Sequence, residues 1–251
     1  MNSVGLLYDL LLSSTNTVAF TGAGVSTASG IRDFRGRNGI YNDTYRGYRV
    51  EELFGIDLFR SDPSIFYAWA KDFVYALELF RPCTVHTVLA RLERLGRLNA
   101  VVTQNIDRLH TLAGSQRVFE VHGSPQRHHC LSCGKSYGYD EVAPIVRDGR
   151  VPCCSCGGVL KPDIVFYGEG LPEEVFSQAA DACRRADLCL VLGSSLTVYP
   201  AAALPEEAYQ CGARLVIVND TPTPLDRRAI LRLSDLTDTF TQLADLLEPG
   251  P

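Results

Sequence analysis

The stretch Thr17-Val18-Ala19-Phe20-Thr21-Gly22-Ala23-Gly24-Val25-Ser26-Thr27-Ala28-Ser29-Gly30-Ile31-Arg32-Asp33-Phe34-Arg35 decides how the rest of the chain is read. Val18-Ala19-Phe20 is a short apolar run of strand type, and it leads into Gly22-Ala23-Gly24, where the backbone must turn sharply. Ser26, Thr27 and Ser29 then suit the first turn of a helix. A strand, a glycine turn and a helix start form a phosphate site, because free N–H groups and the helix dipole face the anion. Gly22 and Gly24 match the first two glycines of a dinucleotide fingerprint, but Thr27 stands where a third glycine or alanine belongs. No strand ending in an acid follows about 20 residues on, as a ribose contact would need. Gly-Ala-Gly alone therefore fits a plain strand–helix turn equally well. The continuation Gly30-Ile31-Arg32-Asp33-Phe34-Arg35 adds an acid, an aromatic and a base directly after the turn, and this favours a ligand site.

Outward from this turn, strand-like and helical patterns alternate. Apolar runs at 99–103, 118–121, 163–166, 187–192 and 214–218 are separated by helical periodicity at 64–79, 84–98, 172–185 and 200–211. Phe240, Leu243, Leu246 and Leu247 suggest a closing helix, and Val4, Leu7, Leu10 and Leu11 an opening one. Pro63 suits the first position of its helix, with Asp62 or Ser61 as cap. Alternation of this kind predicts an α/β fold with a largely parallel sheet, whose strands read as continuous apolar runs because both faces are buried. The runs end in Gly22, in Gln104-Asn105-Ile106-Asp107, in His122-Gly123, in Gly193-Ser194-Ser195 and in Asn219-Asp220. Ligands of open α/β sheets bind beyond the carboxyl ends of the strands, so the polar chemistry gathers along one edge.

The bulk properties exclude several classes. With 251 residues, 46% hydrophobic and 21% charged, the chain has the composition of a globular protein with a sizeable core. A formal net charge of −5 predicts no direct nucleic-acid binding. No apolar run reaches the ~18 residues of a membrane helix. The first residues lack a basic start and include Asp9, so neither signal peptide nor membrane attachment is expected and the location is read as cytoplasmic. Of the nine cysteines, those crowded between Cys130 and Cys156 fit that setting as metal ligands rather than as a disulfide framework.

Cys130-Leu131-Ser132-Cys133 and Cys153-Cys154-Ser155-Cys156 contain two C-x-x-C pairs separated by nineteen residues. That is the spacing of a structural zinc site, in which four thiolates close a tetrahedron and leave no position for chemistry. The expected ligands are Cys130, Cys133, Cys153 and Cys156; Cys154 is surplus and exchangeable with Cys153, although only Cys153 keeps the two-residue gap. His128 and His129, beside the first pair, are expected at the surface.

Together these motifs resemble the sirtuin family, the NAD-dependent protein-lysine deacylases, in its compact bacterial and archaeal form. The motifs that carry the resemblance are Gly22-Ala23-Gly24-Val25-Ser26, Gly30 to Arg35, Thr103 to Asp107, His122-Gly123, the four cysteines, Gly193-Ser194-Ser195 and Val218-Asn219, all in the family's order. The resemblance implies a Rossmann-like NAD-binding domain from residues 1–30, 81–123 and 161–251. It also implies a smaller domain made of a helical insertion with a cofactor loop, 31–80, and a zinc-binding module, 124–160. NAD and an acyl-lysine protein or peptide would meet between them.

The resemblance also implies roles. Gly22, Ala23, Gly24, Ser26 and Thr27 would face the pyrophosphate, and Phe34 and Arg35 would belong to a mobile loop over the ribose and nicotinamide. Gln104 and Asn105 would contact the nicotinamide ribose, and Ile106 and Asp107 the nicotinamide pocket. Gly193, Ser194, Ser195, Asn219, Asp220 and Thr237 would hold the adenosine half. Val165, Phe166, Gly168 and Glu169 would add the substrate peptide as a strand. His122 would be the general base, with Asn105 beside the reacting ribose; an imidazole suits this because its pKa lies near working pH. The acyl group would pass to ADP-ribose, with release of nicotinamide.

Two alternatives use the same cleft: mono-ADP-ribosyl transfer to protein, and a non-catalytic NAD-binding module. A Rossmann oxidoreductase is disfavoured by Thr27. The chain departs from the family pattern at Arg32, where proline is usual, and at Tyr167, where many members have phenylalanine. Members acting on succinyl-lysine carry Tyr-x-x-Arg in the helical insertion. Here Tyr67-Ala68-Trp69-Ala70 puts Ala70 in the arginine position, so neutral acyl groups are expected.

Overall fold

Val18, Ala19 and Phe20 are fully buried because strand β1 (Thr17–Thr21) is covered on both faces. In the computed structural model, which describes residues 3–36 and 38–248, five further strands join it. These are β2 (Ala100–Thr103), β3 (Val118–Glu120), β4 (Leu188–Leu192), β5 (Arg214–Val218) and β6 (Ala229–Leu233). All five pairings are parallel, in the order β6-β5-β4-β1-β2-β3. This is the doubly wound order of dinucleotide-binding sheets, with its switch point between β1 and β4.

Alternation along each strand splits the core in two. Val18 and Phe20 join Val102 and Val191 under helices α5 (Glu173–Arg185) and α6 (Ala203–Gln210), whose contacting residues are mostly alanines. Ala19 joins Val101, Leu190 and Val216 under α1 (Ser3–Ser13), α3 (Thr84–Arg94) and α7 (Leu236–Leu247), through Leu7, Leu89 and Phe240. Each fully buried Leu, Val or Phe contributes about 1.5–3 kcal/mol of transfer free energy. Two short helices, α2 (Ala23–Thr27) and α4 (Leu109–Leu112), follow β1 and β2. The sequence reading lacks β6: its burial alternates and it carries Arg232, as suits an edge strand rather than a continuous apolar run.

The chain divides into two units. The sheet unit comprises residues 1–30, 81–121 and 173–251, and the second comprises 31–80 and 122–172. Residues 161–172, assigned by sequence to the sheet unit, fall in the second one. Leu160–Ile164 is a strand that pairs antiparallel with Gly123–Cys130, which also pairs with Ser136–Gly138. The helical part of this unit packs rings around Phe166, which meets Phe59 at 5.4 Å and Phe54 at 5.7 Å edge to face and Phe66 at 5.0 Å in a tilted pair.

Asp62 caps a helix begun by Pro63, as the sequence predicts, but that helix stops at Ala70 and a 3₁₀ segment runs from Val74 to Leu79. At 100° per residue, Tyr75 would lie 200° round from Phe73 on one straight helix. The break buries Tyr75 while Phe73 stacks on Trp69 at 5.0 Å. Helix Tyr139–Arg147 is also absent from the sequence reading; Pro144 masks the spacing of buried Val142, Ala143 and Val146.

The turn before β1 is tied to the start of β4 by Asp187. Its carboxylate accepts from Ser14 Oγ, from Thr15 N at 2.8 Å, from Thr15 Oγ1 at 2.6 Å and from Asn16 N at 3.2 Å. Burial pushes this acid upward, but the donors outweigh it and hold the carboxyl well below the usual carboxylate range. A depressed folded pKa gives stability that is fully present above the unfolded value of about 3.9, begins to fade below it and is lost as the pH falls through the folded one. Asp187→Ala is expected to lose about 1–2 kcal/mol near neutrality. The gap in melting temperature from the parent should narrow by about pH 3, and calorimetry at both pH values checks it. An equal gap at both would refute the linkage.

Candidate functional site

The sheet unit gathers polar side chains at the switch point. Gly24 N donates to Gly193 O at 2.9 Å, so the turn after β1 lies backbone to backbone on the turn after β4. A Cβ on Gly22 would lie 2.7 Å from Gly193 O. Gly193 itself has φ +59°, and its Cβ would meet Val25 N at 2.6 Å. Glycine is required on both sides of this contact.

Asn105, buried beyond β2, donates through Nδ2 to Gly22 O at 3.0 Å and to Ser26 Oγ at 2.9 Å. Ser26 Oγ in turn donates to Asp107 Oδ2 at 2.5 Å, while Asp107 Oδ1 accepts from Leu109 N at 2.8 Å. Burial raises the Asp107 pKa, and the two donors partly offset this. Gln104 Nε2 donates to Ser194 Oγ at 2.8 Å, joining the ends of β2 and β4. Asn219 is buried beyond β5 and donates to Thr221 O at 2.8 Å; Asp220 is exposed. Ile106 is buried, Ala23 half-buried, and Thr27, Ser195 and Thr237 are exposed. The structure thus brings Gly22, Gly24, Ser26, Gln104, Asn105, Asp107, Gly193 and Ser194 into one hydrogen-bonded cluster.

Beneath the cluster runs a polar chain that sequence reasoning missed. Thr21 Oγ1 donates to Thr103 Oγ1 at 2.8 Å and lies 2.9 Å from His110 Nε2; Thr103 Oγ1 accepts from Asn105 N at 3.1 Å. Burial holds His110 and His86 neutral, the latter pushed down to about 4. Polar residues at the inner ends of apolar strands are its one sequence signal.

The second unit carries the remaining expected residues. His122 is half-buried, and its carbonyl accepts from Val165 N at 2.9 Å. Gly123 follows with φ +68°, and a Cβ there would lie 1.9 Å from Asp163 O, so the residue after His122 must be glycine. Phe34 packs edge on to Tyr41 at 5.2 Å and Phe54 at 6.2 Å. Arg35 donates to Tyr167 Oη at 2.6 Å and Glu51 Oε1 at 3.1 Å. Arg32 donates to both oxygens of Asp43, at 2.6 and 3.1 Å, and to Asn38 O at 3.0 Å, which braces the loop where proline is usual.

In the expected substrate segment, Val165 and Gly168 are accessible, but the Phe166 side chain is core. The Glu169 side chain also turns inward. Its Oε2 accepts from Phe166 N at 2.8 Å and from Lys161 Nζ at 2.8 Å. Lys161 is almost wholly buried, donates further to Ile164 O at 2.8 Å, and lies 4.2 Å from the Phe166 ring centre. Burial lowers its pKa, and Glu169 opposes that shift. Sequence reasoning missed Lys161; a lysine between Leu160 and Pro162 in an apolar run was the available signal.

Cys130, Cys133, Cys154 and Cys156 bring their sulfurs within 4.8 Å of one another. Cys130–Cys156 is 3.5 Å and Cys133–Cys154 is 3.6 Å. Zn–S bonds of about 2.3 Å give sulfur–sulfur edges of about 3.8 Å, so this set fits one tetrahedral zinc. The expected ligand Cys153 is corrected to Cys154. Cys153 forms a bridge with Val159 and is exposed, and neighbouring side chains on extended backbone face opposite ways. Cys154 starts the turn instead, with its N donating to Gly158 O at 2.7 Å and its O accepting from Gly157 N at 2.9 Å. The expected exposure of His128 is also corrected. It is fully buried, 2.6 Å from Tyr75 Oη, and burial pushes it down to about 4. His129 is partly exposed and pairs with Asp163 at 2.7 Å. Because bound metal supplies folding free energy, Cys154→Ser is expected to lose zinc and lower the melting temperature, and Cys153→Ser to retain about one zinc per chain. Elemental analysis of both variants checks this; the reverse result would return Cys153 to the ligand set.

A model of the Sir2 family matches residues 22–200. The chain is 46% identical over 225 residues, 89% of either protein, to one from Thermotoga maritima named NAD-dependent protein deacetylase. A solved Sir2 complex with deacetylated p53 peptide and 3′-O-acetyl-ADP-ribose superposes with a TM-score of 0.91 and 41% identity, covering 98% of this chain and 99% of that one. A Sir2 complex with p53 peptide and NAD⁺ gives 0.89 and 41%, covering 98% of each. The glycine turn, the Asn105–Ser26–Asp107 cluster and the four cysteines all fall inside the matched span, and the chain belongs to the Sir2 family.

Proposed function

We infer that the chain is an NAD-dependent protein-lysine deacetylase. The observation that carries this is the buried Asn105–Ser26–Asp107 cluster, set at the switch point of a dinucleotide-binding sheet. Relatives at 40–46% identity are named NAD-dependent protein deacetylases, and a solved relative holds the acylated ADP-ribose product. NAD supplies the ADP-ribose that accepts the acyl group, with nicotinamide released.

The chain's own residues hold and orient. The glycine turn from Gly22 to Gly24, with Ala23, Ser26 and Thr27, takes the pyrophosphate. Gln104 and Asn105 take the nicotinamide ribose, and Asn105 enters already oriented by two hydrogen bonds. Asp107, with Ile106, accepts from the carboxamide, and its carboxylate is a stronger acceptor than an amide would be. Gly193, Ser194, Ser195, Asn219, Asp220 and Thr237 serve the adenosine half, and Phe34 and Arg35 the loop above the ribose. Val165, Phe166, Gly168 and Glu169 form the peptide-pairing segment, with Glu169 bracing it through Lys161 rather than touching peptide. His122 is the general base. Thiolate ligands for zinc suit a reducing cytoplasm.

Incubation with NAD and an acetyl-lysine peptide should yield nicotinamide and deacetylated peptide together. Nicotinamide release with the acetyl group retained would instead indicate ADP-ribosyl transfer. His122→Ala is expected to lower kcat about 10²–10⁴-fold, the usual contribution of a general base, with NAD affinity largely kept. Near-normal turnover would remove His122 from that role.

The acyl preference follows from the helical insertion. Tyr67 is buried and its hydroxyl donates to Leu160 O at 2.5 Å, Ala70 is fully buried, and Trp69 packs on Phe54 at 5.5 Å. No cation stands at the arginine position, and an unpaired buried carboxylate costs several kcal/mol. For one peptide, kcat/KM for acetyl- and butyryl-lysine is expected to exceed that for succinyl-lysine by at least about tenfold. A succinyl value equal to acetyl would overturn this.

A further inference from the structure

The second unit contains a contact that neither the family motifs nor the proposed roles account for. Tyr167 lies within the peptide-pairing segment, and its hydroxyl accepts from Arg35 of the cofactor loop at 2.6 Å. Its backbone is held independently of its side chain: Tyr167 N donates to Phe54 O at 2.7 Å, and Tyr167 O accepts from Ile56 N at 3.0 Å. The residue is 42% exposed, so the hydroxyl's placement is set by its partners rather than by burial. Arg35 is gripped from three sides, by Tyr167 Oη, by Glu51 Oε1 at 3.1 Å and by the Tyr41 ring with its centre 5.1 Å away. Tyr41 Oη stands 3.4 Å from Tyr167 Oη, a longer contact.

We propose that Tyr167 is a positioning residue whose hydroxyl latches the cofactor loop, through Arg35, onto the peptide-pairing segment. Phenylalanine, common at this position, keeps the ring and the backbone bonds but has no acceptor for Arg35. The latch links two events. A peptide added along Val165 to Glu169 further restrains the segment that carries Tyr167, and a restrained Tyr167 holds the loop through Arg35. Peptide therefore strengthens cofactor binding, and the effect is reciprocal because it is a coupling free energy. This linkage rests on the deacetylase reading; the latch itself does not.

The ligand-free protein tests the latch. Tyr167→Phe removes only the hydroxyl, and its melting temperature should match the parent. Trypsin cleavage after Arg32 and Arg35, followed by mass spectrometry, should accelerate about three- to tenfold, the range for losing a partly exposed hydrogen bond to a charged group. Tyr41→Phe keeps the 2.6 Å bond and should cleave at the parental rate. An unchanged rate in Tyr167→Phe, or equal acceleration in both variants, would overturn the latch.

A non-hydrolysable NAD analogue, titrated by calorimetry with and without an acetyl-lysine peptide, tests the linkage. The peptide should tighten analogue binding to the parent, and Tyr167→Phe should lose most of that gain. In turnover, Tyr167→Phe should raise the KM for NAD by a similar factor and leave kcat nearly unchanged. Equal peptide enhancement in parent and variant would overturn the linkage. A parent that binds neither ligand would overturn the deacetylase reading, and with it the linkage, while the cleavage result still decides the latch.

Discussion

The contact on which the sheet unit depends is the backbone-to-backbone packing of Gly22 and Gly24 against Gly193. It is closed by the 2.9 Å bond from Gly24 N to Gly193 O. It lies where the strand order reverses, between β1 and β4, and it leaves no room for a Cβ on either side. The order follows from chain sequence and parallel pairing. Three strands grow outward from β1 in one direction and three from β4 in the other, so the first turns after β1 and β4 must meet. Asn105 then reaches Gly22 O from β2, and Gln104 reaches Ser194. The polar cluster is a consequence of the glycine contact, and a side chain at any of the three positions would displace its members together.

Burial makes these polar groups expensive to leave unpaired, at about 1–3 kcal/mol each. That explains why they occur as chains. Asn105, Ser26 and Asp107 satisfy one another, and Thr103 supports Asn105 from below. Lys161 repeats the logic in the second unit, where a nearly dehydrated ammonium gathers Glu169, two carbonyl oxygens and the face of Phe166. Removing one partner would strand a charge. The segment from Leu160 to Glu169 is thus held in shape from within, while Val165 and Gly168 stay accessible.

Much of this was legible because the sheet is parallel and buried on both faces. Each central strand reads as an unbroken apolar run, and the runs of β1, β2 and β4 end in the residues that form the cluster. What the sequence hid has physical reasons. Strand β6 alternates because it sits at the edge, and Pro144 conceals the helix from Tyr139 to Arg147. The helical insertion breaks after Ala70 because one straight helix would not bury Phe66, Tyr67 and Tyr75 together. In the zinc module, spacing counted residues correctly but could not say which of two adjacent cysteines faces inward. An antiparallel bridge at Cys153 decides that, and it depends on Val159, six residues further along the chain.

The cofactor loop of the second unit shows how one departure from a pattern is absorbed. Proline would stiffen the backbone before Asp33 by fixing φ, a local constraint. Arg32 achieves order by a different route. Its guanidinium spans to both oxygens of Asp43 and to the Asn38 carbonyl, while Ile40 N donates to Asp33 O at 2.9 Å and Tyr41 N to Phe34 O at 3.0 Å. The ion pair is about half exposed on each side, so it contributes only about 0–1 kcal/mol and is open to screening by salt. Proline would restrict the loop in every state, whereas Arg32 and Arg35 restrain it only while their partners are in place. A loop held by side-chain contacts depends on the segments that carry those contacts, and one of them, the Tyr167 hydroxyl, stands on the segment where the peptide is proposed to bind.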